Sequence, residues 1–130
     1  MIIDTSALLA ILQKEPEALR MAEAIKRDPV REISAANWLE LGMVAFQRAR
    51  DEGIRDVDLM RLKYRLDVAE VSPKQADLAL RAFMKYGKGI HPARLNFGDC
   101  FAYALAKDTG EPLLFKGEDF TQTDVAAAAY

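Results

Sequence analysis

The sequence predicts an α/β domain in which parallel strands form one sheet covered by helices on both faces. Three observations lead there. Short apolar runs, too brief for helices, alternate with longer stretches of helical spacing. Serine, asparagine, proline and glycine stand where those longer stretches begin and end. No repeat, linker or low-complexity segment interrupts the alternation, so residues 1–130 are expected to fold as a single domain.

Met1–Asp4 is an apolar run closed by polar residues, and is expected to be a buried strand. Ser6 could cap a helix through Leu12 to about Lys14, and Pro16 suits the first turn of the next. There Leu19, Ala22 and Ile25, with Ala18, are assigned to one packed face, and Asp28-Pro29 ends the helix. Arg31–Ile33 is a short strand. Ser34 caps a helix from Ala35 to about Glu52, which Gly53 should end. Val57 to about Leu66 is a further helix, with Val57, Met60 and Tyr64 on one side. Val68–Val71 is a strand, and Ser72-Pro73 opens a helix to about Tyr86, stopped at Gly87. The loop KGIHPARLN leads to a helix from about Phe97 to Asp108, closed by Gly110. Leu113–Phe115 is the last strand, and the tail TDVAAAAY is expected to be a frayed helix.

Composition narrows the function. Hydrophobic residues at 51% suffice for a core without staples, and no apolar stretch approaches the ~18–20 residues that span a bilayer. The single Cys100 cannot form an internal disulfide, and no Cys/His cluster suggests zinc. With no basic leader or small-residue cleavage site, a cytoplasmic location is expected. The net charge of -2 argues against holding nucleic acid by broad charge, so any such grip needs a local basic strip or a metal.

Four acids fall where βα units gather function, outside the carboxyl ends of the strands. Asp4 ends the first strand, Glu40 lies in the helix after the second, Asp99 opens a late helix, and Asp119 follows the last strand. Each also has a purely structural explanation. Asp4 could cap a helix, Glu40 could face solvent, Asp99 could complete a capping box begun by Asn96, and Asp119 or Glu118 could be a turn residue. Asn37, one turn before Glu40, shares its face. If the acids converge, each pair about 4 Å apart repels by about 1 kcal/mol in water and about 4 at an effective dielectric near 20. A cation among them would offset that, and oxygen ligands without sulfur or imidazole favour Mg²⁺, with Mn²⁺ as a substitute. Such a metal fits phosphodiester hydrolysis. The lone histidine, His91, lies in a loop and is taken as a surface residue.

Three blocks, MIIDTSALLAIL, ISAANWLELGMV and RLNFGDCFAYALAKDTGEPLLFKGEDF, resemble PIN-domain nucleases, and more narrowly the VapC toxins of bacterial type II toxin–antitoxin modules. The resemblance covers nearly the whole chain. It implies a PIN-like α/β/α sandwich with a central, mainly parallel sheet, and a Mg²⁺-dependent endoribonuclease acting on RNA. It also implies a VapB-type antitoxin as partner, in a homodimer or a higher toxin–antitoxin assembly. By position Asp4, Glu40 and Asp99 match the metal-binding acids, Thr5 and Ser6 the small hydroxyl residues beside the first, and Asn37 a polar position before the glutamate. Many relatives read T-x-D-x-D-F where this chain has Phe115-Lys116-Gly117-Glu118-Asp119-Phe120. Asp119 keeps the aspartate before phenylalanine and is assigned as the fourth acid, with Glu118 in reserve. RNA phosphates are expected to meet Lys85, Lys88, His91, Arg94 or Lys116, although a solvated side chain explains each equally well. RARDEGIRDVDLMRLKYRLD could pack on a second copy or the antitoxin. Two alternatives stand beside this reading. A haloacid-dehalogenase-like phosphatase needs a second aspartate where this chain has Ser6, and a non-enzymatic α/β binding module would use the acids only as caps.

Overall fold

The computed structural model describes residues 1–130. Four parallel strands, β1 (Ile2–Ile3), β2 (Glu32–Ser34), β3 (Asp67–Ala69) and β4 (Leu113–Leu114), form one sheet in the order β3-β2-β1-β4. The chain steps outward from β1 through β2 to β3, then returns to the other side of β1 as β4. That reversal opens a crevice at the carboxyl ends of β1 and β4. Period-2 alternation divides the strands between two layers. Ile3 and Leu114 pack into a core with α1 (Thr5–Leu12), α2 (Ala18–Arg27) and α3 (Ala35–Tyr64). Ile2 and Leu113 pack on the opposite side with α4 (Pro73–Tyr86) and α5 (Phe97–Thr109). No helix is long and apolar enough to cross a membrane.

Most punctuation acts as expected. Ser34 accepts from Ala36 N at 3.3 Å and Ser72 from Gln75 N at 3.1 Å, with Pro73 at the first helical position, and Gly110 closes α5 at φ 74°. The first helix is capped by Asp4 instead of Ser6, because the strand already ends there and its carboxylate reaches Ser6 N at 2.9 Å. Pro16 lies in a turn, and α2 opens at Ala18. Its packed stripe is Ala18, Met21, Ala22 and Ile25, whereas Leu19 is 81% exposed, one residue step outside that stripe. β2 is displaced by one residue from the expected bounds, and β3 starts one residue earlier and ends two residues earlier than expected. The tail is no helix. It runs beside β4, with Leu113 N donating to Ala126 O and Ala128 N to Leu113 O, and so covers that sheet edge.

The long helix breaks earlier than Gly53 would suggest. Ala49 and Arg50 leave helical geometry, Arg50 at φ 50°, and the second arm folds back so that Val57, Met60 and Tyr64 join the core. Gly53 sits inside that arm as a point of close approach: a Cβ there would stand 2.2 Å from Ala45 O. Gly53→Ala is therefore expected to destabilise the fold by about 1–3 kcal/mol. Gly42→Ala, in the same helix with nothing within 4 Å of its added Cβ, should stabilise by roughly 0.5–1 kcal/mol. Urea midpoints of the two variants would check the contrast, and equal effects would contradict the close approach.

Candidate active site

The crevice is lined from four directions. Asp4 leaves the end of β1 and is buried, and its Oδ2 accepts from Ser6 N and, at 2.5 Å, from Ser6 Oγ. Ser6 Oγ accepts in turn from Lys116 N at 3.0 Å, tying the start of α1 to the exit of β4. Thr5, one residue on, donates through Oγ1 to Glu40 Oε2 at 2.6 Å. Asn37 on α3 is fully buried and donates to Gly98 O at 3.0 Å and Glu40 Oε2 at 3.4 Å. Its Oδ1 is buried with no partner. Asp99 sits in the first turn of α5, where Asn96 Oδ1 accepts Asp99 N and Asp99 Oδ2 accepts Asn96 N, both at 2.8 Å. The capping roles foreseen as alternatives for Asp4 and Asp99 are thus both real.

They are also compatible with convergence. Burial pushes the Asp99 carboxyl from an ordinary 3.8 up to about 7, the Asn96 N–H opposes this, and the charges of Asp4, Asp119 and Glu40 add to the rise. Burial likewise raises Asp4, against the hydrogen bonds from Ser6, and Glu40 adds to it. Asp99 therefore lies in the field of the other three acids, and Asp4 in that of Glu40. They do not close into a ready-made ligand cage of three groups. Glu118 is not among the charges acting on Asp99, and its carboxylate instead lies 3.4 Å from Thr121 Oγ1 within its own turn. Asp119, at the start of the short 3₁₀ turn Asp119–Gln122, is exposed.

Gly98 was not foreseen. An added Cβ would stand 2.7 Å from both Glu40 carboxylate oxygens, so any larger residue there would make the end of the Glu40 side chain shift. The available signal was a glycine within a helical first turn, where propensity disfavours it. Glu40 and Gly98 also line a hollow of about 360 Å³ with Leu39, Met43, Phe97 and Phe101. A larger hollow of about 550 Å³ between α4 and α5 is wholly apolar and lies apart from the acids.

The expected basic strip is divided. Lys116 forms ion pairs with Glu15 and with Glu17, the latter at 3.5 Å, so it is not a free cation at the mouth. The turn between α1 and α2 supplies both carboxylates. Lys85 lies over the Tyr86 ring at 4.8 Å and in the field of Asp124. Lys88 and Arg94 are exposed in the loop before α5, without ion-pair partners.

The raised Asp99 value carries a pH dependence. The folded chain holds that proton more tightly than the unfolded chain does, so unfolding releases it between pH 3.8 and about 7. Stability of chelator-treated protein should then fall as pH rises through that window. Asp99→Asn, which keeps an acceptor for Asn96 N, should flatten the decline in urea midpoint against pH. An unchanged slope would place Asp99 outside the acid cluster.

The PIN domain family matches residues 1–126. VapC ribonuclease Mb0640 of Mycobacterium bovis is 49% identical over 129 residues, covering 99% of this chain and 98% of the relative. Ribonuclease VapC of Mycolicibacterium smegmatis is 51% identical over 127 residues, covering 98% of each. Among solved structures, the sarcin–ricin-loop-cleaving toxin VapC20 of Mycobacterium tuberculosis superposes with a TM-score of 0.75 at 18% identity, over 96% of this chain and 95% of that one. A toxin–antitoxin complex from Klebsiella pneumoniae gives 0.73 at 21% identity, over 99% and 97%. At those identities the structures establish the fold, while the sequence relatives narrow the group. The chain belongs to the PIN domain family, among the VapC ribonucleases.

Proposed function

We propose that this chain is a Mg²⁺-dependent endoribonuclease, with Mn²⁺ able to substitute, and the toxin of a type II toxin–antitoxin pair. The observation that carries the reading is the field that Asp4, Glu40 and Asp119 exert on Asp99 at the strand-order reversal. The names of the relatives supply RNA as the substrate class. The donor set suits a hard divalent cation, since these side chains offer only oxygen and the single histidine lies in the α4–α5 loop. Asp4, Glu40 and Asp99 would hold it, and their mutual repulsion is the term it would offset. A bound cation supplies an activated water and neutralises charge on the phosphate oxygens.

The chain's own groups prepare that chemistry. Thr5 and Asn37 point hydrogen bonds at Glu40 Oε2, fixing its rotamer, while Ser6 does the same for Asp4 Oδ2. Asp119, exposed at the rim, orients the attacking water and accepts its proton as the new P–O bond forms and the ribose oxygen leaves. A VapB-type antitoxin is the proposed partner, in keeping with the Klebsiella complex and with a VapBC2 structure from Rickettsia felis, which is 16% identical. Leu59 and Leu62, exposed on the second arm of α3, provide apolar surface for the antitoxin or a second copy. The phosphatase alternative loses its footing: Ser6, which stands where it needs its second acid, is a hydrogen-bond donor to Asp4.

Cleavage of single-stranded RNA in added Mg²⁺ tests the proposal. Asp4→Asn and Asp99→Asn should each lower kcat/KM on the order of 10²-fold or more, and Mg²⁺ should raise the Tm of the unmodified chain but not of these variants. Undiminished turnover in both would refute the assignment and favour acids that serve only as caps.

A further inference from the structure

We propose that the loop between α4 and α5 forms a second RNA subsite, in which Lys88, His91 and Arg94 hold a backbone phosphate of single-stranded RNA away from the scissile bond. The identity of the ligand rests on the ribonuclease reading. The site rests on geometry. These three residues, with Gly89, Ile90 and Pro92, frame an open hollow of about 530 Å³ whose lining contains no carboxylate. The chain as a whole is acidic, and several of its other lysines are already engaged. Lys26, Lys74, Lys107 and Lys116 have carboxylate partners, and Lys85 lies over a tyrosine ring. Lys88 and Arg94 have neither, and they share one hollow.

The hollow is preorganised. Lys88 N donates to Leu95 O at 2.9 Å and Leu95 N to Tyr86 O at 3.0 Å, closing the loop at its base. Ile90 N and His91 N both donate to Gly87 O, and Arg94 N donates to His91 O, each at 3.0 Å. Arg94 is held at φ 55°, a left-handed conformation uncommon for a residue with a side chain. His91 adds an N–H donor. Its Nδ1 accepts from Ala93 N at 3.1 Å and its ring packs edge-on to Tyr86, so in the neutral ring the hydrogen sits on Nε2. Two cations and one N–H donor suit the oxygens of a single phosphodiester. One such pocket, without a broad basic surface, fits an exposed single strand better than a duplex. Because the loop ends at Asn96, which caps the helix carrying Asp99, the hollow and the acids are fixed to the same helix entry.

The test measures binding of the full chain, with divalent ions chelated, to a labelled single-stranded oligoribonucleotide of mixed sequence across about 50 to 200 mM salt. Lys88→Gln and Arg94→Gln should each flatten the log–log salt slope by about 0.7, and the double variant by about 1.4. His91→Ala should weaken binding at every salt concentration while leaving the slope in place. Lys26→Ala, at a lysine paired with Glu23, should keep both slope and affinity. An unmodified slope in a double variant that melts normally would overturn the subsite, as would failure of the unmodified chain to bind at the lowest salt. Cleavage is read separately. Binding through Lys88 and Arg94 without RNA cleavage in any divalent ion would sink the ribonuclease reading and leave the subsite standing. Cleavage with an unchanged slope would sink the subsite alone.

Discussion

The approach of the Glu40 carboxylate to the backbone of Gly98 is the contact on which the crevice depends. It brings the first arm of α3 against the first turn of α5, where unpaired backbone N–H groups and the helix dipole favour negative charge. Asn37 fastens the same junction through Gly98 O, and Thr5 fastens Glu40 to the exit of β1. Three elements distant in the chain are thereby held by one carboxylate and its donors. A larger residue at 98 would push the Glu40 carboxylate off its Thr5 and Asn37 donors while leaving each helix intact.

Capping and convergence are usually weighed as alternatives for an acid near a helix start, and here one geometry serves both. A carboxylate that accepts backbone N–H groups at the head of α1 or α5 is fixed in direction and partly compensated in charge. That compensation does not suffice at Asp99, where burial and three neighbouring acids prevail and the carboxyl rises to about 7. The fold thus retains an electrostatic strain at the strand edge, of the kind that clusters at functional sites. Neutral donors, Ser6, Thr5 and Asn37, surround the acids where lysine or arginine would have quenched them.

Positive charge is kept separate. Lys116 immediately follows Phe115 and its N–H reaches Ser6 Oγ, yet Glu15 and Glu17 engage its ammonium, which removes that cation from competition for the acids. The cations that remain unpaired in the α4–α5 loop stand on a rigid frame of backbone hydrogen bonds. An acidic protein can then hold a polyanion at one defined place while its net charge stays at -2.

Local chemistry made much of this legible from the amino-acid sequence. The alternation of short apolar runs with capped helices determined the α/β class, and Ser34, Ser72, Asn96 and Gly110 marked boundaries because capping depends on neighbours within a few residues. The acids Asp4, Glu40 and Asp99 were named from their positions at strand ends and from a family resemblance, and the charges of the first two act on the third. What sequence missed depends on distant partners. The break at Ala49–Arg50 has no proline to announce it, and Gly53 is needed because Ala45 approaches from the other arm. The alanine-rich tail has helical propensity but pairs with β4, since an open sheet edge offers it backbone partners. Lys116 looked free because Glu15 and Glu17 lie a hundred residues earlier. Sequence by itself determined most of the elements and which side chains carry charge. The tertiary structure decided which charges share a field and which are paired, because electrostatic and steric terms depend on distance in space.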